Sequence, residues 1–263
     1  VKKFTQMFFT TFYFFPVTNP FIGYLLILTF IINNSCFGQK KYQFDHLIEY
    51  QFESYEDSSS NKTLYYITNS KDNSYYAKIE SLDSLNFEIE FIVQDLIWAK
   101  ISLKKEDFSN LESLTLECES DFLYKNDFKF RVEEYEFNML ADTLMDNKYF
   151  KHYKLQYIGK RKRKKSFPVG TNHYIIRDST QFHLPILTHS TAFEEWKKER
   201  NIPNGIFEEI IFYNYKNEIS YKYIIKEYHS INKTIFVPDK CLERNKMRLN
   251  SWDLQIRSNK KRS

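Results

Sequence analysis

The apolar patterning of the chain predicts a mainly β fold: a strongly curved antiparallel sheet or half-barrel with one helix packed against it. Three observations carry that expectation. Two-residue alternation of apolar and polar side chains recurs between residues 48 and 228, the pattern of strands that bury one face. One segment, 191–200, has helix signals at both ends. Between Phe128 and Met139 the apolar parity switches from even positions (Phe128, Phe130, Val132) to odd ones (Tyr135, Phe137, Met139). A β-bulge or break at Glu133-Glu134 would produce that switch and bend the sheet.

In chain order, Ile48, Tyr50 and Phe52 alternate with Glu49, Gln51 and Glu53. Thr63 to Asn69 and Tyr75 to Glu80 form a hairpin around residues 70–74, where Asp72 and Asn73 tolerate turn conformations. Phe87, Ile89, Phe91 and Val93 make the next strand, and Ile97, Ala99, Ile101 and Leu103 the one after. Asp146-Asn147 turns the chain into Tyr149 to Ile158, followed by His173 to Ile176, Ile206 to Tyr215 and Ile219 to Tyr228. In the helix, Thr191 with Glu194 reads as a capping box, Lys197, Lys198 and Arg200 suit the C-terminal end, and Pro203 ends it. Phe193 and Trp196 share the face that docks on the sheet. Leu242 to Ser263 is polar and reads as a frayed, basic tail.

Of 263 residues, 42% are hydrophobic and 27% charged, which supports a packed core. Only three of the five glycines (Gly159, Gly170, Gly205) lie beyond position 38, so Gly-rich phosphate loops and dinucleotide fingerprints are excluded. H-E-x-x-H, G-x-S-x-G and C-x-x-C are absent as well, removing the commonest zinc-protease, serine-hydrolase and thioredoxin-like signatures.

Lys2-Lys3 followed by the uncharged run Phe21 to Ile32 reads as a secretory signal, with small residues Cys36 and Gly38 placing the cut before Gln39. The apolar run is shorter than a membrane span, so no anchor is expected after cleavage. A retained membrane anchor and lipidation at Cys36 are the competing readings. The expected organisation is a signal peptide at 1–38, one β-rich domain at 39–240 and a polar basic tail at 241–263, in a periplasmic or secreted protein. The export reading leaves Cys118 and Cys241, either bridged in an oxidising compartment or buried as thiols. Residues 39–158 hold 14 basic against 23 acidic side chains and 159–263 hold 22 against 11, a polarity that draws the halves together or attracts an anion.

Six adjacent cations, Lys160, Arg161, Lys162, Arg163, Lys164 and Lys165, form the strongest local anomaly. Export argues against a nucleic-acid partner, leaving a solvated loop or contact with an anionic envelope surface. Asp178, His183 and His189, with Glu194 nearby, include ligand types that zinc accepts. Their spacing fits no metal signature, and Glu194 already has the capping role. Pairing of these groups with Asp239 or His173 as acid and base lacks a marked nucleophile. No catalytic residue and no cofactor is assigned. Phe, Tyr and Trp supply 37 of the 225 residues after position 38, enough either to fill a core or to line an apolar cavity facing Ala99.

Ile202-Pro203-Asn204-Gly205-Ile206-Phe207-Glu208-Glu209, with the signal segment and the His173-Tyr174-Ile175-Ile176 strand, resembles the GLPGLI-type secreted proteins of Bacteroidetes, with Asn204 standing in place of a glycine. That resemblance implies a β-rich envelope or secreted protein and supplies no catalytic residues. The layout is also similar to the periplasmic lipoprotein-carrier fold, an incomplete barrel covered by a helix. The leading expectation is a non-enzymatic envelope protein that binds an apolar or amphiphilic ligand. A protein-interaction module and a hydrolase are the alternatives.

Overall fold

The structure is a computed structural model that describes residues 38–118, 121–126, 129–159 and 169–260. The signal segment and the 160–165 basic run therefore lie outside the described residues. What is described is an open, mainly antiparallel sheet with helices against it. Its strands are β1 (Gln39–Ser54), β2 (Lys62–Asn69), β3 (Asp72–Ser81), β4 (Asn86–Val93), β5 (Ile97–Lys104), β6 (Ser113–Thr115), β7 (Asp121–Phe122), β8 (Tyr135–Met139), β9 (Thr143–Met145), β10 (Lys148–Tyr157), β11 (Thr171–Ile176), β12 (Phe207–Tyr213) and β13 (Ile219–Pro238). The helices are α1 (Lys105–Asn110), α2 (Ser190–Glu199) and α3 (Asp239–Lys260).

The strand order is β7-β5-β4-β3-β2-β1-β13-β12-β11-β10-β8, with β9 beside β10 and the short β6 parallel to β13. Two hairpin ladders, β1 to β5 and β10 to β13, thus meet where β1 pairs with β13 along nearly its whole length, Gln39 opposite Pro238 and Ser54 opposite Tyr221. This seam explains why both strands outrun the sequence expectation: β1 begins nine residues before Ile48. Register shifts between Phe44 and His46 and between Glu49 and Tyr50 interrupt the alternation of β1, which is why its first half did not read as a strand.

Because side chains alternate, the sheet has two apolar faces. On one, Phe137, Leu155, Tyr174, Ile176 and Phe207 pack under Ala192, Phe193 and Trp196 of α2. Ile48, Tyr50, Leu64, Tyr66 and Tyr76 extend that layer beneath Ile186 and Ile206. The opposite face of β2 to β5 carries Ile67, Ala77, Ile79, Phe91 and Ala99, covered by Leu116, Cys118, Cys241 and Leu242. Ala99 is fully buried there, on the side away from α2, and does not face a ligand cavity. Its cross-strand partners Phe91 and Ala77 put it on that face, a fact that rests on register and not on local pattern.

Two expectations change, and one of two alternatives is decided. As far as Lys260 the C-terminal stretch is not a frayed tail: Asp239–Lys260 is helical, and Cys241, Leu242 and Asn245 at its start are buried. The expectation failed because apolar periodicity is weak along α3, whose start is held by a disulfide from Cys241 to Cys118 with Cα atoms 5.3 Å apart. The capping box does not form. His189 occupies the N-cap position without a side-chain cap bond, Thr191 is buried inside the helix, and Glu194 pairs with Lys129 at 3.4 Å. Burial of the apolar stripe sets where α2 starts. It ends at Arg200, left-handed at φ 51°, with the guanidinium 3.7 Å from the Trp196 ring centroid. Finally, the parity switch is a break and not a bulge: Lys129–Glu134 forms a 3-10 helix, and the strand starts at Tyr135.

Candidate functional site

Along the α2 face the side chains change character from one end of the strands to the other. Tyr50, Tyr66 and Tyr76 are covered by the 186–206 segment. Two residues further along β1, and at the facing positions of β13 and β12, Phe52, Tyr223, Tyr221 and Phe212 are only half-buried. Cross-strand pairing brings them together: Phe52 lies opposite Tyr223 and Phe212 opposite Tyr221. Phe212 and Tyr221 stack at 4.9 Å with 15° between planes, and Phe52 meets Tyr223 edge-on at 5.1 Å. Burial, the largest influence on the Tyr223 hydroxyl, pushes its pKa up to about 12, against a hydrogen bond with Tyr66 that lowers it.

Beside this aromatic strip the same face of β2 to β5 carries alternating charges. Lys62 pairs with Glu80, Lys78 with Glu90 at 2.6 Å, and Lys100 with Glu88 at 2.7 Å and Glu90 at 3.2 Å. Burial, the largest influence on Glu90, raises its pKa, but the hydrogen bonds and charges of Lys78 and Lys100 outweigh it and hold the carboxyl below its ordinary range. Between strip and ladder runs a groove of about 540 Å³ lined by Phe52, Leu64, Tyr223, Lys62 and Lys78, with Ser59, Ser60 and Asn61 at its rim. The rim is ordered by its own hydrogen bonds: Asp57 accepts from the Ser59 amide and hydroxyl and from the Ser60 hydroxyl, and Asn61 Oδ1 accepts from the Ser54 amide. One wall is thus aromatic and the other ionic.

A second, more apolar cleft opens on the opposite face between α1, β6 and Lys233, but its volume is about 30 Å³. That is far less room than the Phe52 groove offers. The expected cavity lined by Phe and Tyr is therefore filled beneath the 186–206 segment and open at the Phe52 end. Alternation flagged Phe52, but Tyr221, Tyr223, Lys62 and Lys78 join it only through register.

Of the zinc-type candidates, His183 is completely buried against β1 and β2, whereas Asp178 opens a 3-10 turn and His189 precedes α2. Among the described residues, the group of metal-ligating side chains that does converge is Asp45, His46 and His183. The proposed pairing of His183 with Asp239 or His173 is not made. Its ring nitrogens face Thr68 Oγ1 at 2.8 Å and the Leu184 carbonyl at 2.6 Å. Thr68 is itself buried, so a hydroxyl activated there would meet no substrate. Burial, ahead of the neighbouring His152 and Lys154, pushes the His173 pKa down to about 4. That ring bonds His152 at 2.9 Å and lies 4.6 Å from the Tyr213 ring.

No protein-family model and no curated protein matches the chain. Among solved structures the chain is similar to the Pseudomonas aeruginosa MucA/MucB complex, at 5% identity and a TM-score of 0.37 over 71% of this chain and 51% of that one. It is also similar to a putative outer membrane lipoprotein-sorting protein domain from Vibrio parahaemolyticus, at 8% identity and a TM-score of 0.30 over 81% and 93%. The chain spans about half the length of the MucB-type chain it matches. Likenesses this loose assign neither family nor activity, and the residues of the groove carry the functional reading.

Proposed function

We propose that this protein is a non-enzymatic binding protein of the cell envelope that holds a single-chain amphiphile in the Phe52–Tyr223 groove. The observation that carries this reading is the pairing of an aromatic wall with an ionic wall across an open groove. An acyl chain lies on Phe52, Leu64 and Tyr223, and its polar head reaches Lys62, Lys78 and the Ser59-Ser60-Asn61 rim. Burial of a methylene contributes about 0.8 kcal/mol, so six on the aromatic wall contribute roughly 5 kcal/mol before ordering costs. The Cys118–Cys241 disulfide supports work in an oxidising compartment. Among the described residues no helix is long and apolar enough to cross a membrane. The basic run Lys160 to Lys165 is assigned contact with an anionic envelope surface.

Two measurements test the proposal. Protein isolated from its native envelope and extracted with organic solvent should release a stoichiometric single-chain lipid. A fluorescent fatty-acid analogue should bind the purified chain and bind Phe52→Ala or Tyr223→Ala at least tenfold more weakly, with the fold intact by circular dichroism. Vesicles with and without anionic lipid separate groove binding from adsorption through the basic run. Absence of both extracted lipid and analogue binding would move the protein to the interaction-module alternative.

A further inference from the structure

The register shift in β1 between Phe44 and His46 does more than lengthen the strand. Successive residues of a regular strand point to opposite faces, yet at this irregularity Asp45 and His46 turn toward one another, with His46 Nδ1 2.8 Å from Asp45 Oδ1. Bulges re-aim side chains in this way and are common beside functional sites. His183 arrives from the segment after β11, its ring edge-on to His46 at a centroid separation of 5.2 Å. One donor atom from each of Asp45, His46 and His183 lies within 4.8 Å of the others.

Two of the three groups, His183 and Asp45, are also held from outside the cluster the way metal ligands are held. The Leu184 carbonyl can only accept, so His183 Nδ1 must carry the proton that meets it at 2.6 Å, which leaves Nε2 in the neutral ring as the free donor of a lone pair, met at present by the Thr68 hydroxyl at 2.8 Å. A second ring N–H donated to a carbonyl is the usual outer support of a ligating histidine. Asp45 is fixed by Ser70, whose amide reaches Oδ1 at 2.7 Å and whose hydroxyl reaches Oδ2 at 2.6 Å, and His46 is held by Asp45 itself. His183 is fully buried, while the Asp45 side chain is 42% exposed, which leaves an entry path from solvent.

We propose that Asp45, His46 and His183 form a binding site for a divalent transition ion of the zinc type. Two imidazoles and one carboxylate suit such an ion better than calcium or magnesium, which prefer all-oxygen shells. Ligand bonds of about 2.0–2.2 Å place donors roughly 3–3.5 Å apart, so the three groups close by little more than a rotamer adjustment. The Thr68 hydroxyl, now 2.8 Å from Nε2, gives way to the ion. Lys71, whose ammonium rests on the Phe182 carbonyl at 3.0 Å, is the nearby charge that opposes binding. Bound there, the ion ties the segment after β11 to the seam strand β1, at the end of the helix face remote from the Phe52 groove.

Zinc and cobalt(II) are the probes, titrated into the full chain after chelator treatment. The expected result is one zinc per chain by calorimetry and a cobalt(II) visible band of a low-coordinate nitrogen and oxygen site. Asp45→Asn and His46→Ala should each weaken zinc binding at least tenfold. Both residues are partly exposed, so these variants keep the comparison usable if His183→Ala fails to fold. His173→Gln breaks the separate His152–His173 pair and should leave binding unchanged. No zinc bound at 100-fold molar excess, equal binding in Asp45→Asn and His46→Ala, or loss of binding in His173→Gln would each overturn the proposal.

Discussion

Tyr42 and Tyr50 lie on the same strand and are both buried, but their hydroxyls differ. Tyr50 donates to the Phe207 carbonyl at 3.0 Å across 157 residues of sequence. Tyr42 has no hydrogen-bond partner among the described residues, although its ring packs edge-on against Tyr75 at 4.9 Å and Phe91 at 5.2 Å. A buried polar group without a partner costs its desolvation, whereas a satisfied one returns about 1 kcal/mol net. Tyr42→Phe is therefore expected to raise stability by about 1 kcal/mol and Tyr50→Phe to lower it by about as much. Urea unfolding midpoints of the two variants, measured side by side, check the opposite signs. A destabilised Tyr42→Phe would show that its hydroxyl has a partner after all.

At the scale of elements, α3 depends on its first turn. Cys241 and Leu242 enter the core beside Ala99 and Leu116, while the exposed Met247 further along the helix has no apolar cover. The disulfide closes a loop of 123 residues, and cross-links over loops of that length stabilise by about 4–5 kcal/mol when unstrained. Thiol titration of the unfolded, non-reduced chain should find neither Cys118 nor Cys241 free. Replacing both by serine should lower stability by about 4–5 kcal/mol in the chain-entropy account and open α3 to proteolysis first. If α3 stayed protected, the helix would be held by its other contacts and not by the bridge. A second consequence concerns Ala99, which is packed on the face away from the groove. Enlarging it to Trp would strain the core and leave amphiphile binding at the Phe52 end unaffected.

For the whole molecule, the partly buried imidazoles of His173 and His152 set a pH dependence. His173 has its pKa pushed down to about 4, chiefly by burial and then by His152 and Lys154, from an ordinary value near 6.5. Burial lowers its partner His152 as well. Between about 6.5 and 4 the unfolded chain binds a proton at His173 that the folded chain does not, so stability rises with pH across that window. The contribution is complete above pH 6.5 and is lost as the pH falls toward 4. Urea midpoints should fall between pH 7.5 and pH 5, and His173→Gln should flatten part of that slope. An unchanged slope would assign the dependence to other groups.

The sequence by itself determined the fold class. Alternation of apolar side chains needs no partner to be seen, because a half-buried strand writes its own period; Phe87 to Val93, Ile97 to Leu103 and the 63–80 hairpin were legible for that reason. The face of α2 that docks was legible too, from Phe193 and Trp196. Tertiary structure alone decided everything that depends on register between distant strands. Phe52 meets Tyr223 because β1 pairs with β13, and His183 meets Asp45 and His46 because a register shift in that same β1 turns two neighbouring side chains to one side. Neither the groove nor the cluster has a local period, since their members come from residues 45 to 223 and are neighbours only through hydrogen bonds between strands. The start of α3 was hidden for a related reason: a polar segment with a weak apolar stripe stays helical because a disulfide and two buried residues hold its first turn against a sheet face that the sequence does not display.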